Sequence, residues 1–328
     1  MQAARVPIAD VLPGAGVLPI ADVLPGAGVL PGAGALLAPG GRATLSDYVT
    51  LTKPRIMSLL VLTAVCAMVA GAGGDPSLGG LLALTVGGAL ACGGASALNH
   101  VLDRDIDRLM GPRTASRPVA AGRVSPRRAV VFGLGLSLLS FALLAAATNL
   151  LAASLAVSGG AFYVLVYTLW LKRRTAQNIV IGGAAGAIPP LAGWAAAHGS
   201  LGLGALYLFA IVLLWTPPHF WALALLLAPH YEAARVPMLP VVRGASATAR
   251  QVLGYTLLLT VMTIVPFATG SFGVVYLAAA IVLGGGFCTL AVRMWRAPDP
   301  RRAALLFHYS LLYLALLFVA VALDAAVR

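Results

Sequence analysis

Asn99, Asp103 and Asp107 recur at four-residue intervals in a chain of which only 10% is charged. On a continuous helix that spacing lines all three along one face, drifting about 40° per step, and turns Asp105 away from it. Two carboxylates and an amide oxygen on one stripe suit a hard, oxygen-seeking cation. Magnesium, held by one or two carboxylates and completed by substrate phosphates, is the ion this donor set predicts. The competing reading is a solvated helix end with incidental Asp–Arg pairs. Beyond the stripe, Arg113 and Arg117 carry planar forks that match a diphosphate or a carboxylate bidentately. A second basic cluster, Lys172-Arg173-Arg174, occurs later in the chain. Metal, carboxylates and cations together predict the handling of a lipid diphosphate, with arginine or lysine steadying the charge that develops on the leaving group.

The elements that must position these residues are membrane helices. The chain has 328 residues, 60% of them hydrophobic, which leaves too little polar surface for a soluble domain of this length. Apolar runs recur near 56–74, 78–98, 127–147, 149–170, 179–197, 203–227, 251–270, 272–293 and 305–325, each long enough to cross a bilayer as a helix. Runs this uniformly apolar fit helices and not the alternating strands of a barrel. The expected class is an all-α, polytopic membrane protein. A net charge of +12 raises the question of nucleic acid, but the placement of the charge excludes it. With nine spans, 21 of the 22 basic residues fall on one side and only Arg328 on the other. The positive-inside rule then places the N-terminus and the charged loops in the cytoplasm, in a multi-pass protein of the cell (plasma or inner) membrane. Few ionisable groups lie within the spans, which argues against a transporter's polar path. Cys66, Cys92 and Cys288 fall inside spans without metal-ligand spacing and read as small buried residues.

Residues 6–34 repeat themselves with a period of 12, from Pro7 to Pro19 and from Asp10 to Asp22. Frequent proline and glycine forbid a continuous helix there, so residues 1–43 are expected to form a disordered tail and residues 44–328 the membrane domain. A third polar region begins with "WTPPHFW" at 215–221 and runs to "VPMLPVVRG" at 236–244. His219 is the histidine of interest there. Standing alone, it is more often a structural hydrogen-bonder than a ligand. Its aromatic neighbours Trp215, Phe220 and Trp221 suit either an interface belt or a flat macrocycle.

Five stretches carry a family resemblance: "LTKPRI" at 51–56, the N-x3-D-x3-D stripe, "RTASRP" at 113–118, "YTLWLKRRTAQNIVIGGAAGAIPPLAGW" at 167–194 and "WTPPHFW…VPMLPVVRG" at 215–244. Together they resemble the UbiA superfamily of intramembrane prenyltransferases, and within it the branch that farnesylates haem. The resemblance covers about 45–325. It implies nine helices around a central cavity, Mg2+, farnesyl diphosphate and haem B as ligands in membrane lipid, haem O as product, and haem A synthase as a candidate partner. It places Asn99, Asp103 and Asp107 on magnesium diphosphate, assisted by Lys172 and Arg173. Arg113 and Arg117 fall on diphosphate or haem propionate, and His219 faces the haem. Tyr167, Asn178 and Glu232 join His219 in substrate binding. A quinone-type acceptor and a non-catalytic assembly factor are the alternatives.

The sequence departs from the branch's pattern in two places. Where that pattern reads DDYxxAGVPMLPVV, this chain has "PHYEAARVPMLPVV". Pro229 and His230 replace the aspartates, Arg235 replaces the glycine, and Glu232 is the acid left to take over. The run Met110-Gly111-Pro112-Arg113 also carries one residue more than the pattern.

Overall fold

The computed structural model describes residues 43–328, and among these nine helices are long and apolar enough to cross a membrane. They run Pro54–Gly71, Leu78–Leu102, Pro126–Ala147, Leu150–Arg173, Asn178–His198, Leu203–Leu226, Leu239–Ala268, Val274–Arg296 and Pro300–Val327. The repeat at 6–34, and with it the tail expected there, lies outside the described residues. Eight spans start within a few residues of the expected positions. The seventh begins at Leu239 instead of 251, because a short helical stretch precedes it. Gly244, at φ 76° and ψ 174°, breaks the run, so the continuous membrane helix starts after it.

Successive spans pack as neighbours, the first also packs on the fifth, and the ninth closes the arrangement against the first and the sixth. In lipid the hydrophobic drive between helices is absent, and small residues substitute for it by letting backbones approach. At Gly94 a Cβ would lie 2.6 Å from the Gly133 carbonyl oxygen, so the contact of the second and third spans requires glycine. Gly193 stands in the same relation to the Ala64 carbonyl, where the fifth span crosses the first. Cys66 is buried, and Cys92 and Cys288 are half-buried and unbridged.

Polar residues collect at one end of the bundle, on the short helices Leu45–Thr52, Arg104–Leu109, Pro112–Ala115 and Ala228–Ala233. Helix Leu45–Thr52 starts with a capping box: Thr44 Oγ1 accepts from the Asp47 amide, and Asp47 accepts from the Thr44 amide at 3.0 Å. The other Asp47 oxygen accepts from Arg123 Nε at 2.8 Å, and Arg123 also donates to the Ser116 carbonyl. This strap ties the helix before the first span to the loop after the second. The fourth span changes character at this end. Residues Phe162–Trp170 form a π-helix and Leu171–Arg173 a 3-10 turn. Widened turns of this kind re-aim side chains and recur at functional sites.

Candidate functional site

The second span ends at Leu102, yet the amides of Asp103 and Asp107 still bond the carbonyls of Asn99 and Asp103 at 2.9 and 2.8 Å. The helical path therefore continues through the break, and Asn99, Asp103 and Asp107 share one face. All three are buried, at 2%, 1% and 1% exposure. Asp105 points outward, with a side chain 60% exposed.

Each member of the stripe meets a cation from a different part of the chain. Lys53 Nζ donates to Asn99 Oδ1 at 2.9 Å. Lys172 Nζ donates to Asp103 Oδ2 at 2.6 Å, and Arg117 donates to Asp107 Oδ1 at 2.6 Å. Asn99 is fixed further by its amide, which donates to Asp103 Oδ2 at 2.7 Å and to Thr168 Oγ1 at 3.2 Å. The remaining carboxylate oxygens, Asp103 Oδ1 and Asp107 Oδ2, are buried without a partner among the described residues. Orphaned acceptors are costly, and two on adjacent turns fit a divalent ion completed by phosphate oxygens. No group of three His, Cys, Asp or Glu suited to a metal occurs among the described residues. A divalent ion at this donor set would need ligand oxygens to complete its shell.

The electrostatics follow from burial and crowding. Withdrawal from water, with repulsion by Arg117 and Lys172, lowers the Lys53 ammonium to about 7 against the pull of Asp103 and Asp107. Burial raises the Asp107 carboxyl, and Asp103 adds to this while Arg117 opposes it. Arg113 is lowered by burial and by the positive charges of Arg117 and Arg55.

The sequence-predicted residues divide by geometry. Asn99, Asp103, Asp107, Arg117 and Lys172 come together, whereas Arg113 is exposed and makes no side-chain hydrogen bond or ion pair among the described residues. Tyr167 is buried on the π segment and stacks on Tyr163, centroids 5.6 Å apart. Asn178, the first residue of the fifth span, is fully buried, with both side-chain polar atoms unpaired among the described residues. Arg173 is not brought to the stripe. Both of its terminal nitrogens bind Asp105 at 2.7 Å on the outer face, and one also reaches the Leu102 carbonyl. That pairing, aided by backbone hydrogen bonds and opposed by partial burial, holds Asp105 down to about 2.

Glu232 is exposed and makes no hydrogen bond or ion pair among the described residues. The helix Ala228–Ala233 turns its neighbour Tyr231 inward instead, buried at 5%. Burial raises the Tyr231 hydroxyl, with Arg117 and Asp103 acting on it in opposite directions. His230 packs against Gly111, whose φ is +105° and whose Cβ would lie 3.0 Å from His230 Cδ2. The two departures from the branch pattern therefore touch each other.

Lys53, Thr168, Tyr163 and Tyr231 are the site residues that the motifs did not assign. Lys53 falls in "LTKPRI", which marks the resemblance without giving the lysine a role. The others have no local signal. His100, beside Asn99, is also buried, with both ring nitrogens unpaired among the described residues.

His219 lies on the sixth span, sandwiched between Trp215 (centroids 4.2 Å apart, 15° interplanar) and Phe307 (4.9 Å, 24°). Ser310 Oγ donates to the Phe307 carbonyl at 2.6 Å, so at 2.7 Å from His219 Nδ1 it accepts. The hydrogen bond fixes the proton on Nδ1 and leaves the Nε2 lone pair without a partner among the described residues. Trp215 and Trp221 are buried and Phe220 is half-buried, so these aromatic residues belong to the bundle interior and not to an interface belt.

The UbiA prenyltransferase family matches residues 60–321. The chain belongs to this family. A protein of Gloeobacter violaceus named protoheme IX farnesyltransferase is 53% identical over 286 residues, covering 86% of this chain and 93% of that protein. One of the same name from Thermus thermophilus is 52% identical over 287 residues, 88% of this chain. The chain spans 47% of the Thermus relative's length and 54% of that of a Roseiflexus relative. Among solved structures, one reported for a digeranylgeranylglyceryl phosphate synthase aligns with a TM-score of 0.72 at 18% identity, covering 87% of this chain and 99% of that one. A UbiA homologue from Archaeoglobus fulgidus bound to GPP and Mg2+ aligns at 0.58 and 17%, covering 86% of this chain and 100% of that one. At these identities the structures establish the fold of a multi-pass, all-helical UbiA-type membrane protein.

Proposed function

We propose that this chain, through residues 44–328, transfers the farnesyl group of farnesyl diphosphate to a vinyl of haem B and so makes haem O. The observation that carries the reading is its 53% identity to a protoheme IX farnesyltransferase across nearly that protein's whole length. The buried stripe and its cations support the diphosphate half. The membrane is proposed to be the cell (plasma or inner) membrane, with the charged end cytoplasmic. Haem A synthase is the candidate partner.

Asn99, Asp103 and Asp107 would hold magnesium, which neutralises the diphosphate as its bond to farnesyl C1 weakens. Arg117, Lys172 and Lys53 sit where the departing oxygens gather negative charge. The C1–O electron pair leaves with the diphosphate, and the allylic cation is attacked by the vinyl carbon. Water captures the resulting haem-side cation and loses a proton, which gives the hydroxyl. Tyr163, Tyr167 and Tyr231 bring π faces to the site, and such faces stabilise a carbocation without reacting with it. His219, with its Nε2 lone pair free, is the residue proposed to face the haem, with iron as the natural acceptor of that lone pair. An apolar groove of about 490 Å³ between the first and second spans begins at Thr52 and Pro54, either side of Lys53. It is of the size that holds small ligands, and we place the farnesyl chain there.

The test is to incubate the full chain in membranes with haem B, farnesyl diphosphate and Mg2+ and to chromatograph the haems. A more hydrophobic haem with the mass of haem O is expected. No such product, with prenylation of an aromatic quinone precursor instead, would overturn the acceptor assignment.

A further inference from the structure

The ninth span turns an apolar stripe outward. Leu305, Leu312, Leu316, Val319 and Leu323 recur at helical spacing and are 36–54% exposed, so in a bilayer they face lipid. His308 interrupts this stripe, three residues after Leu305 and four before Leu312, and is half-buried. An ionisable side chain at such a place in a span points to a function. His308 lies eight residues into the span, about 12 Å below the charged end. His219, seven residues before the end of the sixth span, lies at a matching depth of about 10 Å. The two spans pack on each other.

His308 Nδ1 is 2.8 Å from the Ala304 carbonyl oxygen. A carbonyl only accepts, so the proton sits on Nδ1, and the Nε2 lone pair has no partner among the described residues. Metal-binding histidines are held in this way, with a backbone or carboxylate acceptor on the other ring nitrogen. One buried phenyl ring, that of Phe307, touches both imidazoles. It meets His308 edge-on at a centroid distance of 5.2 Å and stacks on His219 at 4.9 Å. Arg301, seven residues before His308 and so on the same stripe, is exposed and makes no side-chain hydrogen bond or ion pair among the described residues. Arg302, by contrast, is committed to Asp299 and to the carbonyls that end the eighth span.

We propose that His308 is the iron ligand of a second haem site, on the lipid face of the ninth span beside the His219 pocket. The proposal rests on haem being a ligand of this chain and is independent of the diphosphate half of the reading above. Nε2 binds the iron, Leu305 and Leu312 bear on the apolar porphyrin surface from either side, and Arg301 pairs with a propionate at the membrane surface. An anionic lipid would pair with Arg301 alone and leave Nε2 unpaired beside hydrocarbon, which is costly. An iron porphyrin answers both groups. Haem is apolar enough to travel in lipid, and this site stages it one phenyl ring away from His219.

Haem B titrated into the full chain in lipid nanodiscs, with empty nanodiscs as the reference, tests this through the Soret band. The wild type is expected to take up two histidine-ligated haems per chain and His308→Phe one. The position faces lipid, so an apolar replacement leaves the bundle intact. His219→Ala should keep the His308 haem, which gives a second measure of the site in a chain with His308 unaltered. Arg301→Gln should weaken the second haem about 2–5-fold, the scale of an exposed ion pair. Metal-free protoporphyrin IX has no iron to ligate and should bind wild type and His308→Phe alike. A His308→Phe chain with the wild-type stoichiometry and spectrum would overturn the proposal, as would a His219→Ala chain whose spectrum matches empty nanodiscs. Farnesylated haem formed by the wild type in either case would leave the transferase reading standing without this site. Loss of one haem in His308→Phe, with no farnesylated haem from the wild type, would keep the site and remove that reading.

Discussion

Ser310 shows what a single hydroxyl can decide. Its proton goes to the Phe307 carbonyl, so it can only accept from His219 and thereby sets the tautomer. Ser310→Ala removes a hydrogen bond worth about 0.5–1.5 kcal/mol and frees the imidazole to exchange tautomers. Haem titrated into that variant should bind about 3–10-fold more weakly, with an altered Soret band, and Ser310→Thr should restore both. An unchanged spectrum would mean that Nε2 is not presented to iron. Glu232 is the opposite case. Being the last acid in an altered motif, it was the natural candidate from sequence, but sequence does not say which way a short helix turns. The structure turns Tyr231 in and Glu232 out. Glu232→Ala is therefore expected to leave turnover and Mg2+ dependence unchanged and to shift stability by less than about 0.5 kcal/mol. The stripe was legible because four-residue spacing is a local property of helices. Lys53, Lys172 and Ser310 reach partners 46, 69 and 91 residues away, and no periodicity reports such pairings.

Among the elements, the helix Ala228–Ala233 has an ending that its sequence resists. The Val236 amide bonds the Tyr231 carbonyl and the Arg235 amide bonds the Glu232 carbonyl, both at 2.9 Å, with Val236 buried beneath. This is a Schellman cap, whose left-handed position favours glycine, and Arg235 fills it at φ 54°. The branch pattern has glycine at this place, and the backbone has kept the glycine conformation. Arg235→Gly should stabilise the protein by about 1 kcal/mol, seen as a raised Tm, while leaving Tyr231 in place. The strap at the first short helix gives a pH-dependent case. Burial alone would raise the Asp47 carboxyl, but hydrogen bonds from Thr44 and Arg123 outweigh it and hold the group below its ordinary 3.8. A depressed carboxylate stabilises the fold above its unfolded pKa and ceases to as pH falls through the folded value. Hydrogen exchange in 45–52 should therefore accelerate as pH drops below about 4 relative to the rest of the chain. Asp47→Asn should show that fast exchange already at neutral pH. The cap was readable from Thr44 and Asp47. The π-helix was not, because its widened turns depend on packing that composition does not encode.

For the molecule as a whole, the nine spans among the described residues and the gathering of charge at one end of them were legible because lipid imposes both. Apolar length sets the helices, and the crowding of charge at one end follows from excluding it everywhere else. The relation between the spans was not legible, and it decides where the apolar substrate lies. The groove of about 490 Å³ joins the first and second spans through Val61, Thr85 and Ala89 and reaches Thr52 and Pro54, and the proposed placement of the farnesyl chain there is the one to test. Ala89 is exposed on the groove wall, and enlarging it fills the groove without displacing core packing. Ala89→Phe is expected to raise the KM for farnesyl diphosphate about 10–100-fold, the loss of roughly one buried prenyl contact surface, with kcat at saturation nearly unchanged. Pyrophosphate, which has no chain to place, should bind the variant as it binds the wild type. Weakening of both ligands alike would mean that the substitution disturbs the stripe itself, and an unchanged KM would place the farnesyl chain elsewhere in the bundle.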